Sequence, residues 1–231
     1  MALHGPHQPA ASGKTRQAVI LLHGYGADGN DLIGLAPILA PGLPDAAFYS
    51  PDAPLPCEMS PFGRQWFSLA DYDPELLRRN PATMQPAYAA MVGGAQRAAP
   101  AIESFVAEVM EREGLSDPAA MAFVGFSQGT MMSLHVALRM AAPVAGVVGF
   151  SGALLGADTL VAETVSRPPV LLVHGEADPV VPVQALTLAA AALAEAGVEV
   201  ASHTRPGLQH GIDEEGLRLA LAFLRARLGV A

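Results

Sequence analysis

Gly125-Phe126-Ser127-Gln128-Gly129 sets a serine between two glycines in the pattern G-x-S-x-G. The bare pentapeptide is a weak signal, but its surroundings are not. An apolar run, Met121-Ala122-Phe123-Val124, precedes it, and a segment of helical period, 130–140, follows. Strand, sharp turn and helix make a nucleophile elbow, with the serine hydroxyl projecting above the end of a sheet. A turn this tight leaves no room for a Cβ at either flank, which accounts for the glycines. It also forces Ser127 into a strained backbone conformation at the positive end of the following helix. An ordinary glycine–serine turn is the bland reading, and the strand and helix on either side argue against it.

A serine hydroxyl is a weak nucleophile at neutral pH and needs a general base, itself oriented by a carboxylate. In folds built round such an elbow the chain order is serine, acid, histidine. The acid belongs on the turn leaving a later strand, because sites in open parallel sheets lie at the carboxyl ends of strands. Val170-Leu171-Leu172-Val173-His174-Gly175-Glu176-Ala177-Asp178 supplies strand and turn. Asp178 is preferred because Asp178-Pro179 makes a rigid turn; Glu176, closer to the strand end, is the competitor. Seven histidines compete for the base. His4 and His7 lie in an N-terminal stretch expected to fray, His135 sits in a helix and His203 in the last strand. His23 and His174 each end a strand and precede a glycine, so both are read as neighbours of the site, with His23 on its substrate side. His210 follows the last strand and precedes the last helix, on the same rim as Ser127 and Asp178, and is assigned the base.

A tetrahedral intermediate also requires two backbone donors aimed at the developing oxyanion. The amide of Gln128 is one. The second is assigned to Tyr25 in the glycine-rich loop His23-Gly24-Tyr25-Gly26-Ala27-Asp28-Gly29-Asn30. A phosphate-binding reading of those glycines fails, since the spacing is not G-x-G-x-x-G and no Gly-Lys-Ser/Thr follows.

These residues need a scaffold that brings them to one rim. Short β-rich apolar runs alternate with Ala- and Leu-rich stretches, the rhythm of βαβ units and a mostly parallel sheet with helices on both faces. Strands are expected near 18–22, 46–50, 122–125, 144–150, 169–174 and 199–204, and helices over 31–39, 86–113, 128–140, 183–196 and 213–228. Gly93, Gly94 and Pro100 predict a kink or break in the long helix. Residues 1–17 read as a flexible N-terminal extension and 18–231 as one domain carrying a proline-rich insertion at about 51–85. The insertion has no convincing strand or long helix. Phe62, Trp66, Phe67 and Tyr72 nevertheless predict a folded excursion, and Phe62, Trp66 and Phe67 are candidates for an acyl-binding wall. Packing of the insertion onto the sheet explains the same aromatics equally well.

Composition limits the alternatives. In 231 residues, 51% are apolar and 15% charged, so disorder is excluded and burial must be extensive. The charge-free stretches 118–138 and 140–157 approach spanning length, but glycines, Ser127, Gln128, His135 and Pro143 interrupt them, and no stable membrane insertion is expected. A net charge of −9 argues against nucleic acid and anionic lipid as partners. The single cysteine, Cys57, excludes an internal disulfide and a cysteine-based zinc site. No secretory signal is visible, which makes a cytoplasmic address the expectation.

Leu21-Leu22-His23-Gly24-Tyr25-Gly26, the elbow pentapeptide, Phe150-Ser151-Gly152, His174-Gly175-Glu176-Ala177-Asp178 and Gln209-His210-Gly211-Ile212 together resemble the phospholipase/carboxylesterase family of α/β-hydrolases, which includes the acyl-protein thioesterases. The likeness runs from about 18 to 228, and Arg64-Gln65-Trp66-Phe67 looks like the family's Arg-x-Trp-Phe element. The resemblance implies Ser127 as nucleophile, Asp178 and His210 as its partners, the Gln128 and Tyr25 amides as oxyanion hole, and no metal or other cofactor. It implies hydrolysis of small-molecule carboxylic esters or thioesters. Tyr25 stands where the family usually has leucine, a change that a backbone donor tolerates. A lysophospholipase or peptidase on the same residues, and a catalytically silent relative used as a binding module, are the competing readings. The acidic surplus favours soluble esters over bilayers, and a homodimer stays open.

Overall fold

Every inner strand is apolar at nearly every residue, and its alternating side chains divide between two cores. The computed structural model describes residues 2–230. Its strands are β1 (His7–Gln8), β2 (Gln17–Leu22), β3 (Ala46–Tyr49), β4 (Leu55–Pro56), β5 (Arg64–Gln65), β6 (Met121–Phe126), β7 (Gly146–Phe150), β8 (Val170–Gly175) and β9 (Val200–Arg205). Its α-helices are α1 (Gly29–Ile33), α2 (Ala36–Leu39), α3 (Pro74–Arg79), α4 (Met84–Glu113), α5 (Gln128–Ala137), α6 (Leu160–Glu163), α7 (Gln184–Glu195) and α8 (Glu214–Arg227). Seven strands form one sheet in the order β1-β3-β2-β6-β7-β8-β9, parallel except for β1. In β2, Ala18, Ile20 and Leu22 join the core under α4, α5 and α7, while Val19 and Leu21 join the core under α1, α2 and α8. The same division in β6 sends Met121 and Phe123 one way and Ala122 and Val124 the other. This is the doubly covered parallel sheet expected of such sequences. Helix α5 is buried along its whole length between the sheet and α4, which explains why 118–138 carries no charge. Among the described residues, no helix is long and apolar enough to cross a membrane.

The expected strands all form, with ends shifted by a residue or two, but several other expectations are corrected. The flexible extension is instead tied to the sheet: His7 and Gln8 pair with Tyr49 and Phe48, and Leu3 and Ala10 are buried. The outer edge of β3 has unpaired backbone groups, and this strand satisfies them. His7, expected to fray, stacks on Tyr49 at 5.4 Å between ring centroids. The single helix expected over 31–39 splits into α1 and α2, because Pro37 has no N–H to continue the ladder. Conversely α4 runs unbroken through Gly93, Gly94 and Pro100. Pro100 faces solvent, where a freed carbonyl can bind water, and Gly94 admits Phe67, whose Cβ lies 2.7 Å from where a Gly94 Cβ would be. The insertion holds the β4–β5 hairpin and α3, and its last two residues already belong to α4.

The elbow rests on two close approaches. A Cβ on Gly125 would come 2.5 Å from the backbone of Gly129 and Thr130, and one on Gly129 would come 1.8 Å from the Leu22 carbonyl oxygen. Gly129→Ala must therefore push α5 off β2. It is expected to destabilise the fold by about 3 kcal/mol or more, read as a lowered urea midpoint. An unchanged midpoint would contradict this packing.

Candidate active site

Ser127 follows β6 directly and has φ 53° and ψ −115°; with Ser151 it is one of two non-glycine residues at positive φ among those described. The strain is held from several sides. The Ser127 N–H donates to the Phe150 carbonyl at 2.9 Å, and its own carbonyl accepts from Thr130 and Met131. The Thr130 hydroxyl, within 2.8 and 2.9 Å of the Gly125 and Phe150 carbonyl oxygens, joins the elbow to β7. The serine thus sits at the N-terminus of α5, where the helix presents its unpaired amides.

At the end of β8 the chain turns through Glu176 and Ala177 to Asp178. One carboxylate oxygen of Asp178, Oδ1, accepts from the backbone N–H groups of Val180 and Val181 at 2.8 and 2.9 Å. The other, Oδ2, lies 2.8 Å from Nδ1 of His210 and 3.3 Å from Nε2 of His174. Burial of Asp178 opposes its ionisation, but hydrogen bonds from His174 and His210, the charge of His210 and the backbone amide of Val181 outweigh it and hold the carboxyl below the usual carboxylate range. An ionised carboxylate only accepts, so Nδ1 of His210 carries a proton and Nε2 presents a lone pair. Glu176, the competing acid, instead takes a hydrogen bond from the Thr204 hydroxyl at the surface.

His210 reaches Asp178 because its loop presses on the end of β8. A Cβ on Gly175 would lie 2.3 Å from the Leu208 carbonyl oxygen, and the Ala177 N–H donates to that oxygen. The His210 ring packs on Phe126, the residue before the elbow serine, at 4.8 Å between centroids. Ser127, Asp178 and His210 therefore share the carboxyl-end rim of the sheet. Among the described residues, no group of three or more His, Cys, Asp or Glu side chains is placed to hold a metal ion.

Neither the Tyr25 nor the Gln128 backbone N–H donates to a protein acceptor among the described residues. Two unpaired amides are what an oxyanion site needs. The loop carrying Tyr25 is tied to the insertion: Gly26 N–H donates to the Arg64 carbonyl and Arg64 N–H to the Ala27 carbonyl.

The proposed pocket residues are placed differently from expectation. Phe62 is 91% exposed. His23 is fully buried: its Nε2 accepts the Ala53 N–H at 3.0 Å, so its Nδ1 carries the proton and bonds the Gly24 carbonyl at 2.8 Å. Burial lowers its pKa further, which keeps it neutral. Trp66 and Phe67 are 1% and 2% exposed. The Trp66 indole N–H donates to the His23 carbonyl, while the Gln128 carboxamide accepts from Trp66 N–H and donates to the Phe67 carbonyl. These side chains brace the insertion against the elbow. The cavity of about 540 Å³ that Trp66 and Phe67 line with Leu55, Arg97 and Ala98 does not include Ser127 or His210. Sequence reasoning also missed a strap over the acid's turn: Tyr72 Oη donates to the Val180 carbonyl at 2.8 Å and Arg78 to that of Pro179 at 3.0 Å. A single tyrosine or arginine in a loop carries no sequence signal for such a role.

A parallel, doubly covered sheet with a strained serine at the end of one strand and an Asp–His pair beyond the ends of later ones defines an α/β-hydrolase. The phospholipase/carboxylesterase family profile matches residues 9–228, reaching into the segment expected to be an extension. The chain belongs to that family, and its class is that of the carboxylesterase/thioesterase-type hydrolases. The crystal structure of esterase PE8 superimposes with a TM-score of 0.88 at 40% identity, covering 99% of this chain and 100% of that one. Esterase YpfH of Escherichia coli is 26% identical over 224 residues, 96% of this chain and 86% of that protein. Acyl-protein thioesterase 1 of Gibberella zeae is 36% identical over 116 residues, a match that spans about half of each protein, 48% of this chain and 49% of that one.

Proposed function

We propose that the protein hydrolyses carboxylic esters or thioesters of apolar acyl groups through a Ser127 acyl-enzyme, with His210 as general base and Asp178 as the group that orients it. His210 takes the Ser127 proton as the hydroxyl attacks the carbonyl carbon, then delivers it to the leaving alcohol or thiol; water repeats the sequence and frees the acid. The oxyanion is held by the Tyr25 and Gln128 amides. The observation that carries the reading is the Asp178–His210 contact of 2.8 Å, with the same imidazole packed on Phe126 beside the elbow serine.

The acyl group is read from an apolar cavity of about 240 Å³ between the start of α4, the loop after β7 and α7, lined by Pro86, Tyr88, Leu154, Ala157, Ala185 and Leu188. Ser127 and His210 do not line it either, and it is preferred over the 540 Å³ cavity for the loop that joins it to the elbow. That loop leaves β7 through Gly152, which packs on the Ser127 carbonyl. At the ~30 Å³ that a water-sized group occupies, the cavity holds about eight such groups, which suits a medium-length chain. Ala157 is half-buried in its wall, so Ala157→Phe fills the cavity with little strain elsewhere. The variant is expected to lower kcat/KM for p-nitrophenyl octanoate at least about tenfold, with acetate turnover kept. Equal loss on both esters would remove the cavity from the acyl site. An acyl-thioester in the same series separates ester from thioester preference.

A further inference from the structure

His174 lies near the end of β8, four residues before Asp178, and its side chain is almost wholly shielded from solvent. Its Nε2 lies 2.9 Å from the Val181 carbonyl oxygen and 3.3 Å from Asp178 Oδ2. A carbonyl can only accept, so Nε2 carries a proton and donates it to the Val181 carbonyl, with Asp178 Oδ2 a longer contact beside that bond. We propose that His174 is a positioning residue for the reaction, a second imidazole that shares Asp178 Oδ2 with His210 and so fixes both the orientation of the carboxylate and how much of its charge reaches the base. The inference rests on the reading of Ser127, Asp178 and His210 given above.

Two backbone amides hold Oδ1, the His210 imidazole holds Oδ2, and the His174 N–H edge lies 3.3 Å from the same oxygen, so the carboxylate is confined from both ends. The Val181 amide and carbonyl both take part, one toward Asp178 and one toward His174, which closes the turn on itself. With the His174 donor gone, Oδ2 faces His210 alone, and its undivided charge favours the protonated form of the base. The acid limb of the rate profile then moves to higher pH. Other ionisable groups near the pair are the phenols of Tyr72, from the insertion, and Tyr88, from α4, with the Arg78 guanidinium on the Pro179 carbonyl. Burial is the main reason both phenols titrate far on the alkaline side, Tyr88 at about 12 and Tyr72 above it, so neither changes charge where the enzyme would be assayed.

The test compares His174→Met, which keeps the volume without a donor, with His174→Gln, whose Nε2 stands as many bonds from the backbone as the imidazole Nε2. In His174→Met, kcat for p-nitrophenyl butyrate is expected to fall about ten- to a hundredfold with KM unchanged, and the acid limb to move up by about half a pH unit or more. His174→Gln should restore both. Thermal unfolding of each variant gives the folded fraction, and if His174→Met does not fold, His174→Asn, whose amide is too short to reach Oδ2, replaces it. A folded donor-less variant with the parent's acid limb, or a glutamine variant no better than methionine, overturns the proposal. If instead the parent shows no Ser127-dependent turnover, it is the functional reading beneath it that fails.

Discussion

Ser127→Ala is expected to lower kcat for ester hydrolysis by on the order of 10⁶-fold and to abolish labelling by a fluorophosphonate probe, with thermal stability near that of the parent. The magnitude follows from the loss of the nucleophile: with no hydroxyl to acylate, only binding and the two oxyanion amides remain, and these leave about 10³ to 10⁴ over water. The side chain makes no hydrogen bond among those found at the elbow, where the Ser127 backbone and the Thr130 hydroxyl do the holding. Removing Oγ therefore strips chemistry without stripping support. A second substitution at His210 should add little, because residues that act as one unit are not additive. Labelling of Ser127→Ala equal to the parent's would place the nucleophile elsewhere.

Asp178→Asn is expected to cost about 10⁴ in kcat while preserving the fold. The cradle dictates which way the new carboxamide faces. Two backbone N–H groups, from Val180 and Val181, point at the Oδ1 position and demand an acceptor, so the amide oxygen goes there and the NH₂ faces the histidines. His210 Nδ1 must then accept rather than donate, the proton moves to Nε2, and the base can no longer take the serine proton. Stability should change with pH in a defined sense. The folded carboxyl is held below its ordinary value of about 3.9, so folded Asp178 binds fewer protons than unfolded Asp178. Its contribution is full above that ordinary value and is lost as pH falls through and below it. The asparagine does not titrate, so urea unfolding of the variant across pH 3 to 6 should show a flatter acid slope than the parent. A variant that retains kcat, or an unchanged slope, would contradict this account.

What is legible in the chain follows from how local each signal is. The elbow lies within five residues and is steric, and Asp178 and His210 stand on turns next to apolar strands, where chain order makes both candidates. Glu176 stays a competitor because two carboxylates on one turn look alike until the turn decides which one points inward. The insertion resists reading for the opposite reason. Aromatic content marks burial but not direction, and Trp66, Phe67 and His23 brace the elbow while Phe62 faces solvent. The continuity of α4 across Pro100 depends on that proline facing water, and the pairing of His7 and Gln8 depends on the open edge of a strand much further along the chain.

By itself, then, the sequence determined the layers of the fold and the strand–turn–helix elbow, because period, glycine sterics and strand ends are properties of short stretches. The tertiary structure alone decided that His174 and His210 share one oxygen of Asp178, that the Gln128 carboxamide locks the insertion to the elbow, and that Tyr72 and Arg78 strap the acid's turn. Those are contacts between segments far apart in the chain or across a turn, whose directions are set only when the sheet brings its strand ends to one rim.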